Sequence, residues 1–135
     1  MSQAPLLTTS AEVADLARSL SKYPVIAVDL EGDSMHSYQE KVCLLQFSWG
    51  EETVLVDPIA GADLSPLLKP LADPDICKIF HAADYDIRCL ARDFSVRISG
   101  LFDTMIAAQL LGEPRVGLGD ILHKYFGVEL DKQYQ

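Results

Sequence analysis

The segment Val25-Ile26-Ala27-Val28-Asp29-Leu30-Glu31 runs apolar and then presents two carboxylates separated by one residue. Side chains on a strand alternate faces, so Asp29 and Glu31 point the same way. Two carboxylates on one face repel each other, and desolvation at a sheet edge makes both harder to ionise. A divalent cation resolves that conflict, and an oxygen-only donor set selects Mg²⁺ or Mn²⁺ over zinc. No Cys/His spacing in the chain competes for the assignment. A lone Asp-x-Glu is also what a solvated strand face looks like, so further groups must come from elsewhere.

They come from Phe80-His81-Ala82-Ala83-Asp84-Tyr85-Asp86-Ile87, where a strand ends and a helix begins with acids in its first turn. Asp84 reads as the helix cap, favoured by the helix dipole. Asp86 lies inside the turn and faces either solvent or the end of the first strand.

The elements that must position these acids follow in order. Thr8-Thr9-Ser10 caps a helix over 11–20, and Pro24 closes that segment. The acid-bearing strand, 25–31, is followed by a polar loop over 32–41. Val42 to Trp49 is almost continuously apolar and reads as a central strand. Gly50-Glu51-Glu52 turns the chain into a third strand, 53–57. A short helix over 64–71, a strand over 78–81, a helix from Asp84 to Phe94 and a strand over 96–102 come next. Asp103-Thr104 opens a helix over 105–111, and a last helix spans 118–126, ending at Gly127. Three strands with tight turns followed by alternating strand and helix predict one α/β domain, 1–135. Its mixed five-stranded sheet has an antiparallel meander, parallel strands added through helical crossovers, and helices on both faces.

The composition agrees. The chain has 135 residues, 49% of them hydrophobic, which suits a single domain with a real core. The longest apolar runs have strand length, so no membrane span is expected, and Met1 to Pro5 lacks the pattern of a signal peptide. Cytoplasmic localisation is the expectation. Cys43, Cys77 and Cys89 sit in or beside apolar segments and read as buried reduced thiols. The net charge of −9 argues against holding long nucleic acid through a broad basic face. It leaves room for an enzyme that grips a few terminal nucleotides through bound metal ions.

Asp29-Leu30-Glu31 followed downstream by His81-Ala82-Ala83-Asp84-Tyr85-Asp86 resembles the first two motifs of the DEDD superfamily of 3′–5′ exonucleases, in particular the ribonuclease D group. Ser37-Tyr38, Cys43-Leu44-Leu45-Gln46, Leu101-Phe102-Asp103-Thr104, Ala107-Ala108, Leu110-Leu111 and 131–135 match in the same order. The resemblance implies a ribonuclease H-like fold and stepwise removal of nucleotides from single-stranded RNA 3′ ends with two divalent metals. It assigns Asp29 as the ligand shared by both metals, Glu31 as a ligand of the water-activating metal, and Asp86 as the acid of the second motif. His81 reads either as a neighbour of the substrate or as a strand-end histidine satisfied by backbone. His36 borders the acids and is either a contact to the terminal nucleotide or part of a solvated loop. Asp103 reads as a helix cap that supports the site from behind the ligands.

The sequence departs from the family at its end. The third motif, Tyr-x-x-x-Asp, supplies a fourth acid and the tyrosine that orients the attacking water; it is expected after 132–135. Tyr134 has no residue three or four places beyond it, and Asp120 and Asp131 have the wrong context. Three readings follow: a fragment of a longer exonuclease, a short product completed by pairing with a second copy, or a nuclease fold that binds without cutting. A helix lost with the third motif is expected to expose an apolar strip, and a homodimer would cover it. A DNA-directed exonuclease is the alternative within the same chemistry.

Overall fold

A computed structural model describes residues 4–33 and 41–130. β1 (Leu6–Leu7) is followed by α1 (Ser10–Leu20), β2 (Val25–Asp33), β3 (Lys41–Trp49) and β4 (Glu52–Val56). A 3₁₀ turn at Ser65–Leu67 runs into α2 (Leu68–Ala72). β5 (Cys77–Phe80), α3 (Ala83–Phe94), β6 (Leu101–Asp103), α4 (Thr104–Leu110) and α5 (Leu118–Phe126) complete the order.

The strands form one six-stranded sheet in the order β1-β4-β3-β2-β5-β6. β2, β3 and β4 pair antiparallel, as the tight Gly50 turn requires, and β5 and β6 add parallel to β2 through helical crossovers. The expected five strands become six because Leu6 and Leu7 pair with Leu55 and Val56, a segment too short to carry a strand period in the sequence. The strand expected over 96–102 shrinks to Leu101–Asp103.

Alternation along the strands decides which face is core. Ile26, Val28 and Leu30 are buried on one face of β2, whereas Val25, Asp29 and Glu31 are exposed on the other. The core face packs against α1 through Val13, Leu16 and Leu20 and against α3 through Cys89 and Leu90. Phe47 and Ile26 are fully buried there, each contributing roughly 1.5–3 kcal/mol. In β3 the register skips Cys43 opposite the Glu31/Gly32 step. That bulge reverses the parity, which is why Val42 and Leu45 both face the core despite odd spacing.

Helices cover the two faces unequally. α1 and α3 supply core residues, while α5 buries no side chain fully and reaches the opposite face through Leu118. Leu110, Leu111 and Phe126 are exposed on α4, just after it and on α5.

Two local devices hold the scaffold. Thr9 caps α1 in a reciprocal box with Glu12, whose carboxylate is held below its usual range by the N–H of Thr8 and the hydroxyl and N–H of Thr9. Lys78 is fully buried under β5, and its ammonium donates to the carbonyls of Asp73, Ile76 (2.8 Å) and Ser99 (2.9 Å).

Candidate active site

β2 outruns β5. Their pairing ends at Ala27 opposite Ile79, so beyond that point β2 keeps β3 on one side and has no paired strand, among the described residues, on the side of β5. Asp29 sits just past this limit on the open face, with one carboxylate oxygen accepting from the N–H of Leu30 at 2.9 Å. Glu31 lies two residues further on the same face, next to the bulge.

The corner between β5 and α3 delivers Asp86. It occupies the stripe of α3 that also buries Ala83, Cys89 and Leu90, and it is only 8% exposed. An acid at a core position of an amphipathic helix is out of place unless something draws it there. Burial pushes its carboxyl up to about 7, with the charges of Asp29 and Asp103 adding to the shift. Asp86 therefore answers the question the sequence left open: it is turned inward, towards the carboxylate of β2.

Asp103 behaves differently. Burial alone would raise its carboxyl, but the N–H groups of Ala83, Ala82, Met105 and Ile106 donate to it, and the net effect holds it below its usual range. Asp103 caps α4, as expected, and it also caps α3. That corrects the reading of Asp84, which stands one residue inside α3, exposed and paired with Arg88 at 3.0 Å. The residue at the N-cap of α3 is Ala82, which has no side chain to offer.

His81 lies immediately after β5. Its Nδ1 is 2.7 Å from the hydroxyl of Thr104, which in turn donates to the carbonyl of Phe80 at 3.1 Å. Thr104 thereby links the imidazole of His81 to the end of β5. Nε2 is buried and has no hydrogen-bond partner among the described residues. The partner that His81 shows among the described residues is thus a side chain, Thr104, rather than the backbone.

A cleft of about 360 Å³ opens beside Asp29 and His81, lined also by Ala27, Gln46, Ser48, Thr104 and Leu118. Gln46 and Ser48 face Asp29 and Ala27 across the β2–β3 ladder. The sequence reading missed both as cleft residues; the signal was polar residues alternating with Leu45, Phe47 and Trp49. His36 lies outside the described residues. Among the described residues no three His, Cys, Asp or Glu side chains close into a set that could hold a metal, and Glu31 shares the exposed face of Asp29.

A hard cation fits what is present at the pair. Asp29 and Asp86 offer only oxygen, and their electrostatic conflict is one that a cation relieves. No helix among the described residues is long and apolar enough to cross a membrane.

The chain matches a family model described as 3′–5′ exonuclease over residues 6–135. It is 40% identical over 128 residues to Protein RRP6-like 3 of Arabidopsis thaliana, covering 94% of this chain and 14% of that protein. It is 39% identical over 131 residues to Ribonuclease D of Sphingobium indicum, covering 95% of this chain and 34% of that protein. The crystal structure of Escherichia coli RNase D superposes with a TM-score of 0.90 at 33% identity over 98% of this chain and 36% of that one. This chain thus spans between about a seventh and a third of the curated relatives it matches. The mixed sheet has the ribonuclease H-like architecture of these exonuclease domains, and with a model matched over nearly its whole length the chain belongs to the 3′–5′ exonuclease family.

Proposed function

We propose that this domain hydrolyses phosphodiester bonds one nucleotide at a time from the 3′ end of single-stranded RNA, using Mg²⁺ or Mn²⁺ held at Asp29, Glu31 and Asp86. The observation that supports it most directly is the buried Asp86 carboxyl, pushed to about 7 in front of Asp29. An acid perturbed by burial and by a second carboxylate marks a functional-site candidate. The kinship with Ribonuclease D and RRP6-like 3 favours RNA over DNA.

The chemistry that a divalent pair supplies in such a site is a lowered pKa for the attacking water and stabilisation of the leaving 3′ oxygen. The chain's own residues do the rest. Asp29 and Asp86 would hold the cation from opposite elements, with Glu31 joining from the face of β2. Gln46 and Ser48 offer polar contacts along the cleft, and the unpartnered Nε2 of His81 offers a polar contact to the terminal nucleotide. The reduced thiols Cys77 and Cys89 suit a cytoplasmic setting. The second reading is a domain that binds RNA without cutting it, favoured by the lack, among the described residues, of three acidic or His/Cys side chains grouped closely enough to hold an ion.

The test is degradation of a 3′-labelled single-stranded RNA, and of the matching DNA, in Mn²⁺. The 135-residue chain is compared with Asp29→Ala and with a longer chain that carries a Tyr-x-x-x-Asp segment. Shortening of RNA by either wild-type form, lost on Asp29→Ala, supports the reading. A preference for DNA would reassign the substrate. RNA that binds and stays intact in every form would leave the non-cutting domain.

A further inference from the structure

We propose that Asp103 is a positioning residue of the acid site, acting on Asp86 through the main chain of the β5–α3 corner; this rests on the metal-site reading above. The corner is held in a conformation it would not choose. Ala82 has φ 60° and ψ 58°, the left-handed region, and among the described residues only Ser95 shares that feature without being glycine. α3 starts at Ala82 with no side-chain cap of its own. Its first N–H groups would be left without partners in a half-buried setting.

Asp103 supplies what is missing. One oxygen accepts from Ala82 at 3.0 Å and the other from Ala83 at 2.7 Å. The first oxygen also accepts from Met105 at 2.8 Å, with Ile106 further away at 3.4 Å. A single carboxylate thus ties the starts of α3 and α4 together, using both of its oxygens. Thr104 adds a parallel tie, between His81 and the carbonyl of Phe80.

The link to the site is short and rigid. Asp86 lies three residues after Ala83, on the same buried stripe of α3, so the position of the helix start fixes where its carboxyl meets Asp29. No side chain of the site has to touch Asp103 for this to work. An amide at the same position cannot replace the carboxylate, because its NH₂ would confront an N–H donor at one of the two helices. A serine can cap α4 alone, since it is a good N-cap but too short to serve both helix starts.

The readout is Mn²⁺ affinity of the 135-residue chain by calorimetry, with thermal melting in chelator measured in parallel. The chains compared are wild type, Asp29→Ala, Asp103→Asn, Asp103→Ser and Asp103→Ser/Ala82→Gly. Partners of this kind behind metal ligands are worth about 10–100-fold in affinity, and a loss of that size is expected in Asp103→Asn and Asp103→Ser. Ala82→Gly should recover part of it, because glycine takes the left-handed corner without help. Wild-type affinity in a folded Asp103→Ser chain, with only the melting temperature lowered, would make Asp103 a stabilising cap and overturn the proposal. Loss without recovery by Ala82→Gly would overturn it as well. Equal Mn²⁺ binding by wild type and Asp29→Ala would instead remove the metal-site reading on which it rests.

Discussion

Asp86, buried in the first turn of α3, feels the charge of Asp29, which stands on β2 beyond the point where its pairing with β5 ends. One carboxyl is buried on the core stripe of a helix and the other is exposed on a strand, so the pair is unequal. Asp86 carries the cost of desolvation, and Asp29 supplies charge.

That inequality predicts a pH-dependent stability. Burial first, then Asp29 and Asp103, raise the folded carboxyl of Asp86 from 3.8 to about 7. The folded chain therefore holds this proton more tightly than the unfolded one. The stabilisation is complete below pH ~4 and is lost as pH rises through ~7, by at most roughly 4 kcal/mol. Asp86→Asn keeps the neutral form at every pH. Urea denaturation in chelator should show wild type weakening between pH 5 and pH 8 and the variant staying level; parallel curves would refute the assignment.

Metal should reverse that trend. Protons and cations compete for Asp86, so added Mn²⁺ should stabilise the chain more at pH 8 than at pH 6. At a hundredfold excess over the dissociation constant the gain is about 2.7 kcal/mol. Asp29→Ala should abolish it, and a melting curve at each pH with and without Mn²⁺ decides.

His81 offers a division between stability and turnover. Its Nε2 is buried without a partner among the described residues, an arrangement that weakens folding by about 1–3 kcal/mol when left uncompensated. His81→Phe removes that polar nitrogen and keeps an aromatic ring. The expected outcome is equal or higher melting temperature together with slower RNA shortening in whichever form is active. Equal turnover would return His81 to the scaffold.

Lys78 is purely architectural in its contacts, and its loss should be severe. Lys78→Ala would strand three carbonyls and empty a buried volume beneath β5, costing about 3 kcal/mol or more. Gly100→Ala strikes the same junction: a Cβ there would lie 2.5 Å from the carbonyl oxygen of Ile76, at a φ of +72°. Chemical denaturation should find both variants destabilised, with the metal affinity of any folded fraction unchanged.

Much of this was legible before the structure. The alternation of β2, the Gly50 turn, the caps at Thr9 and Asp103 and the stop at Gly127 are local signals, and the elements appear where those signals place them. Asp29 and Glu31 share a face because strand geometry leaves no other choice. What the sequence withheld depends on contacts distant along the chain. The cap of α3 comes from Asp103, twenty residues after Ala83, so the nearby Asp84 took the role by default. The inward turn of Asp86 depends on where β5 ends against β2, a register that no local pattern encodes. Lys78 looked like an ordinary strand residue because its partners are carbonyls, which every residue has.

The two-residue strand at Leu6–Leu7 has a consequence for handling the protein. The carbonyls of Pro5 and Leu7 accept from Leu55 at 2.9 Å and from Asp57 at 3.1 Å, occupying donors along the outer rim of β4. A sheet rim with vacant donors recruits strands from neighbouring molecules. Trimming the residues before α1 would spare Asp29, Glu31 and Asp86, yet the product is expected to cloud and precipitate on concentration, so loss of activity in such a preparation would report on solubility and not on catalysis.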